Sequence, residues 1–503
     1  MSKLLQQYNK TISAVTASAK RDGMYVVQRW HARNYFELEH KAGRTYKART
    51  DSDVGVGMCV FTKSGHLAFG STNDVSHESV LSQYKSLAKI AQANQTAGAA
   101  TAPEIYELEM QPNLGENSLH YRAIDPGHTT ITLVEQQLEK LHNHMMELDQ
   151  AINALIRFNT ESDIWRIVRS DDTDVDWCTP KARLNLQLTI TKDGKTGSTY
   201  LRAIHPTVDQ LLGNIESFIK DLDASYHMLV EQISAEQLES GSYPLVLDST
   251  LVGMIAHEAL GHPAESDLVA NGGSVLGDDT NQYKIGSTVA STSVTVSDHE
   301  PGMSHGFHPY GAFGNARQSV TIINNGKLEE SISDVFSAAK IGVANKNCER
   351  AEGYWAVAIP RMSKTFVDVA DAKPAGQELA SDGTRVIDPR HVQSALLKLR
   401  SFDRHPTVYF LQQMTGGQVS PVVGSFMFGT GFAYRISADT IEPLQPVTFS
   451  GNVLGALKSI SLGVGEICFE AGGYCGKAGQ VAHVTDGGTQ LIFVEPTSEV
   501  TLS

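Results

Sequence analysis

A chain of 503 residues, 41% hydrophobic and 19% charged, is long enough for several cored domains and too apolar for extended disorder. Its net charge of -15, without clusters of Lys and Arg, excludes a general binder of nucleic-acid backbones, and no apolar run approaches the ~20 residues needed to span a bilayer. Polar residues interrupt the opening stretch before a signal-peptide core can form, and the five cysteines are an odd, scattered set, so the expectation is a cytoplasmic protein with reduced thiols.

In chain order, Leu4, Leu5, Tyr8, Ile12 and Val15 mark a first helix. Short β-rich runs follow at Met24–Gln28, Val54–Thr62 and His66–Phe69, then a helix faced by Val80, Tyr84, Leu87 and Ala91. The Ala- and Thr-rich stretch from Asn94 to Pro103 reads as a linker, and a second unit opens near Asp125-Pro126-Gly127. Ile131, Val134, Leu138, Leu141, Met145 and Leu148 define an amphipathic helix, with His142 and His144 read as its solvated side. Strands from Ala151 to Ile204 turn at Lys192-Asp193-Gly194-Lys195, and the acidic run Asp171–Asp176 reads as a solvated turn rather than a calcium loop. A helix over Leu211–Leu222 leads to the apolar strand Tyr243–Leu247, after which Asp248-Ser249-Thr250 caps another helix. From Gly272 onward glycine-rich β runs recur, at 292–296, 319–323, 366–369, 407–411, 422–428 and 490–494. The pattern predicts an α+β protein. N-terminal α/β units at 1–100 and 101–240 precede a Gly-rich, mostly antiparallel β domain at 241–503.

The capped helix carries His257-Glu258-Ala259-Leu260-Gly261-His262-Pro263-Ala264-Glu265. Two imidazoles beside a carboxylate suit a metal site with its own base. In the usual His-Glu-x-x-His spacing the histidines differ by about 40° in azimuth, whereas a spacing of five separates them by about 140° on a straight helix. Gly261 before His262 and Pro263 after it predict a kink or end of the helix there, with His262 pushed out of the α region and back toward His257. A catalytic zinc needs a third protein ligand. Glu265 is near in sequence and Cys475, among glycines at 472–479, is a remote candidate; the residues alone leave the choice open. His299, followed by His305 and His308, forms a second His-Glu group. Pro301-Gly302 forbids a regular helix there, so no fixed geometry follows. The glycine runs at 429–431 and 463–465 fit neither a P-loop nor a dinucleotide fingerprint.

Together with Arg317–Gly326, Pro360-Arg361-Met362-Ser363-Lys364-Thr365, Gly416-Gly417-Gln418-Val419 and Cys475-Gly476-Lys477-Ala478-Gly479-Gln480, the motif resembles the TldD/PmbA metallopeptidases, of the TldD type. The resemblance implies zinc held by His257, His262 and Cys475, with Glu258 as general base in peptide hydrolysis. It further implies unfolded or extended peptides as substrates, and a homodimer or a heterodimer with a TldE-type chain. A non-cleaving peptide-binding or regulatory subunit with a structural zinc is the alternative, against which the intact Glu258 counts. The stretches His308–Gly314 and Asn345–Arg350 depart from the family pattern and leave substrate preference open.

Overall fold

The strand β1, Tyr25–Lys41, organises the N-terminal half. In this computed structural model, which describes residues 3–111, 131–299, 304–375, 386–470 and 472–503, β1 pairs antiparallel with β2 (Arg44–Phe61) on one side and β4 (Asn153–Arg169) on the other. With β3 (Leu67–Thr72), β5 (Asp174–Lys192) and β6 (Lys195–His205) they form one six-stranded sheet in the order β3-β2-β1-β4-β5-β6. Stretches 1–100 and 101–240 thus both contribute to this sheet. The start of a second unit expected near Asp125-Pro126-Gly127 lies outside the described residues.

The short strand expected at Met24–Gln28 is 17 residues long, for a reason visible in its alternation. Val26, Trp30 and Ala32 pack under the helices Asn9–Asp22 and His77–Thr96, while Arg29 and His31 point to the other face and are also buried. A strand with polar residues on a covered face does not announce itself by hydrophobicity. That second face takes the C-terminal domain: Val27, Trp165 and Trp177 pack against Tyr310 and Phe313. The helix Ile215–Ile233 fills the space between the two sheets, sharing a core with β5, β6, Phe410 and Tyr434.

The second sheet has 13 strands and is antiparallel except for two pairs. At its centre β7 (Leu245–Asp248) lies between the strands Thr407–Ser420 and Gln480–Val494. The latter also pairs with Lys364–Val369, Ile460–Phe469 and Gly473–Lys477. Two boundaries differ from expectation. Val422 and Val423 sit in an exposed turn before the strand Ser425–Ser437, and the helix expected at 211–222 is two, Val208–Gly213 and Ile215–Ile233. The turn at Lys192 to Lys195 is as expected, with Asp193 and Gly194 both at positive φ.

Candidate metal centre

The chain leaves β7 into a helix capped by Asp248, whose side chain accepts from the Leu251 amide at 3.0 Å. The helix lies hard against the Gln480–Val494 strand: a Cβ on Gly253 would meet Gly487 N at 2.6 Å and Asp486 C at 2.9 Å. One turn later the backbone becomes a π-helix, Ile255–Gly261, and the His262 amide bonds the His257 carbonyl at 3.1 Å. This corrects the expected geometry. The helix does end near Gly261, but His262 stays helical (φ -61, ψ -50) despite the following proline. The i to i+5 bond widens the turn and stacks residues five apart on one side. The proline bias is a preference, overridden here by the packing around His262, which is 8% exposed.

The structure brings His257, His262 and Cys475 together, one ligand atom of each lying within 4.8 Å of the others. The remaining ring nitrogens are engaged: His257 Nδ1 with Asp486 Oδ1 at 3.0 Å, His262 Nδ1 with Glu265 Oε2 at 2.9 Å. Those bonds leave the Nε2 atoms for the shared space, where His262 Nε2 is 3.2 Å from Cys475 Sγ. Donors on a tetrahedral zinc are about 3.5 Å apart, so the set fits such an ion, and two carboxylate-oriented imidazoles are the usual support for one. Glu265, a candidate ligand by proximity, orients His262 instead. Glu258, on the same π-helix, is half-buried and outside the donor cluster.

Charge is tightly balanced here. Burial pushes the Cys475 thiol up, but the His257 charge and hydrogen bond, with those of His262, outweigh it and bring it to about 5. Burial opposes charge on His262, yet Glu265 and Cys475 raise it to about 9; His257 likewise rises well above its ordinary value through Asp486 and Cys475. Burial would raise Glu265, but His262 and Lys477 hold it at about 2.

The hairpin carrying Cys475 pairs Lys477 with Gln480 and turns through Ala478 and Gly479, both at positive φ, as a tight two-residue hairpin turn requires. This register sets Cys475 opposite Ala482 and Tyr474 opposite His483. Cys475, Val484 and Asp486 therefore face the donor cluster and the C-terminal core. Tyr474 and His483 face the six-stranded sheet, where Arg183 lies 4.3 Å from the Tyr474 ring. On that face Glu161, Asp163 and His483 form a second group of possible metal donors. Arg33 at 2.9 Å from Glu161 and Lys181 at 3.5 Å from Asp163 already neutralise its carboxylates, so it reads as a buried ion network. A cleft beside it is lined by Lys181, His305, Lys364, Glu470 and Thr485. Burial and the Asp486 charge push Glu470 up to about 7.

Among the described residues, none of the other histidines joins the donor cluster. His305 lines the cleft, His308 packs on Trp177, and exposed His299 bonds Ser319. Part of that segment, 300–303, lies outside the described residues. His144 pairs with Asp223 at 2.6 Å, and the acidic run at 171–176 is tied down by Arg169, Lys20 and Arg166. The sequence reading missed Asp486 and the role of Lys477. A lone carboxylate inside the largely buried strand Gln480–Val494 was the available signal, since buried carboxylates persist where they are paired.

Residues 240–480 match the sequence model of the PmbA/TldA metallopeptidase C-terminal domain. A metalloprotease of Methanothermobacter thermautotrophicus is 32% identical over 264 residues, which cover 52% of this chain and 51% of that protein, so the match spans about half the length of the relative. A metalloprotease TldD homolog of Haemophilus influenzae is 25% identical over 89% of this chain and 86% of its own. The crystal structure of TldE from Thermococcus kodakarensis shares the fold at a TM-score of 0.71 and 12% identity, covering 98% of this chain and all of that one. These matches define the class: residues 240–480 form a C-terminal domain of the PmbA/TldA metallopeptidase kind, within a fold shared along the chain. The chain belongs to the TldD/PmbA family.

Proposed function

We propose that the chain is a zinc-dependent peptidase acting on unfolded or extended peptides, with His257, His262 and Cys475 as metal ligands and Glu258 as general base. The observation that carries this reading is the convergence of two carboxylate-oriented imidazoles and a remote thiolate, with a carboxylate next to the first ligand that is not itself in the cluster. One sulfur and two nitrogens suit zinc, whereas magnesium and calcium take oxygen donors. When bound, zinc would polarise the scissile carbonyl and acidify water at the site. Asp486 and Glu265 hold the two rings in the tautomer that presents Nε2. Glu258 accepts the proton of the attacking water and returns it to the leaving amine. The cleft bearing His305 and Glu470 adjoins Asp486 and supports entry of a chain from the side of the six-stranded sheet. Family membership supports a working dimer, either of identical chains or with a TldE-type partner.

Among the described residues no helix is long and apolar enough to cross a membrane. The five cysteines are unpaired, which supports a reducing, cytoplasmic setting.

The test compares wild type with Glu258→Gln on unstructured peptides, with zinc content measured for both. Loss of about 100- to 10,000-fold in cleavage at unchanged zinc content is expected. Equal cleavage by both removes Glu258 from the mechanism and favours a subunit that binds without cutting.

A further inference from the structure

Lys477 stands two residues beyond Cys475 and is nearly buried, its side chain 10% exposed. Its ammonium has three protons to give and finds three acceptors: Glu265 Oε2 at 2.9 Å, Asp267 Oδ1 at 2.6 Å and the Pro360 carbonyl at 3.2 Å. Each acceptor belongs to a different piece of the site. Glu265 follows the π-helix and holds His262, Asp267 lies in the first turn of the next short helix, Ser266–Ala270, and Pro360 precedes Arg361. Arg361, fully buried, closes the loop, donating to the Cys475 carbonyl and standing 4.0 Å from Glu265 Oε1.

A single oxygen, Glu265 Oε2, is thus shared by the imidazole of one candidate ligand and the ammonium on the hairpin of another. Residues 262 and 475 are far apart in sequence, and loop closure alone leaves their separation loose. A buried carboxylate without a cation beside it is costly, and Lys477 at 2.9 Å and Arg361 at 4.0 Å are the cations placed beside Glu265. The His262 bond and the hairpin's seat are therefore two ends of one ion network.

We propose that Lys477 is a positioning residue that couples the thiolate-bearing hairpin to the π-helix through Glu265, so that the metal site assembles as a unit. This inference rests on the metal reading above and extends it to residues outside the donor set. Removal of Lys477 unseats the hairpin end and strips Glu265 of its partner, so His262 and Cys475 both lose definition. Arginine at 477 keeps the charge but replaces three radiating donors with a planar fork, which cannot reach all three acceptors together.

The experiment measures zinc affinity by competition with a chelator for the full chain and for Lys477→Met, Lys477→Arg, Glu265→Gln and Lys477→Met/Glu265→Gln. Cobalt-loaded spectra report ligand geometry, and unfolding of the metal-free forms reports stability. Expected are losses of about 10- to 100-fold for Lys477→Met and Glu265→Gln, a smaller loss for Lys477→Arg, and a double variant no worse than the poorer single one. A weakened thiolate-to-cobalt band in Lys477→Met is expected as well. Unchanged affinity in Lys477→Met, or losses that multiply in the double variant, overturns the coupling while leaving the ligand assignment intact. Failure of Cys475→Ser to alter zinc binding to the otherwise native chain overturns the ligand assignment instead. If Lys477→Met does not fold, the Glu265→Gln affinity and the Lys477→Arg cobalt spectrum decide, unchanged values refuting the coupling.

Discussion

Replacing Gly253 by alanine probes how closely the ligand helix is fitted to its strand. The new Cβ would lie 2.6 Å from Gly487 N, and ordinary contact begins near 3.4 Å, so helix and strand must part by about 0.8 Å. The obstruction is backbone in the middle of a sheet and cannot swing aside as a flexible side chain would. His257 lies one turn further along the same helix. Moving it by that amount stretches the 3.0 Å bond from Nδ1 to Asp486 to roughly 3.8 Å, beyond hydrogen-bond reach. Overpacking costs about 1–3 kcal/mol of stability, which the better helix propensity of alanine offsets by about 1 kcal/mol. That propensity does nothing for the lost orientation of His257, for which about 10- to 100-fold in metal affinity is expected. Chelator competition measures the affinity and urea unfolding the stability. A Gly253→Ala protein that binds zinc as tightly as wild type would refute the claim that helix-to-strand spacing sets the site.

Pro263→Ala is expected to leave zinc affinity within about twofold, because the i to i+5 bond rather than the proline aligns His262; a tenfold loss in the same titration would restore the proline to a shaping role. In the metal-free protein Cys475, with a pKa near 5, should alkylate at a rate nearly independent of pH from 6.5 to 8, and zinc should protect it. An ordinary thiol would slow about tenfold for each pH unit lost, so such a slope counts against the thiolate. Burial raises Glu349 to about 8, so the folded state holds its proton where the unfolded chain has released it. Stability from this group is full below the unfolded value of 4.5 and falls as pH rises toward 8, by up to about 1.4 kcal/mol per unit. Glu349→Gln should flatten denaturation midpoints over that window, and an unchanged slope would show that Glu349 is already ionised.

Much of this organisation can be read from the chain because local chemistry is consistent with the fold. The cap at Asp248, the Asp193-Gly194 turn and the amphipathic helix at 131–148 each follow from a few neighbouring residues. The helix-borne part of the candidate site is legible for the same reason, since His257, Glu258 and His262 lie in one short stretch. What escapes is whatever depends on a partner brought from elsewhere. Arg29 and His31 extend β1 because the C-terminal domain covers them, a fact absent from their own neighbourhood. The π-turn is invisible to a count based on 3.6 residues per turn. Asp486 and Lys477 acquire meaning only when the 480–494 strand is laid beside the ligand helix.

The strand Gln480–Val494 sends Asp486 toward the metal donors and His483 toward the buried ion network on its other side. A side chain's destination there depends on whether its place in the strand is odd or even. One residue inserted between His483 and Asp486, with the hairpin register kept, would turn Asp486 to the other face, aiming a carboxylate at Glu161 and withdrawing it from His257. The interval between Cys475 and Asp486 is thus closed to single-residue changes of length, whereas point substitution leaves both destinations in place.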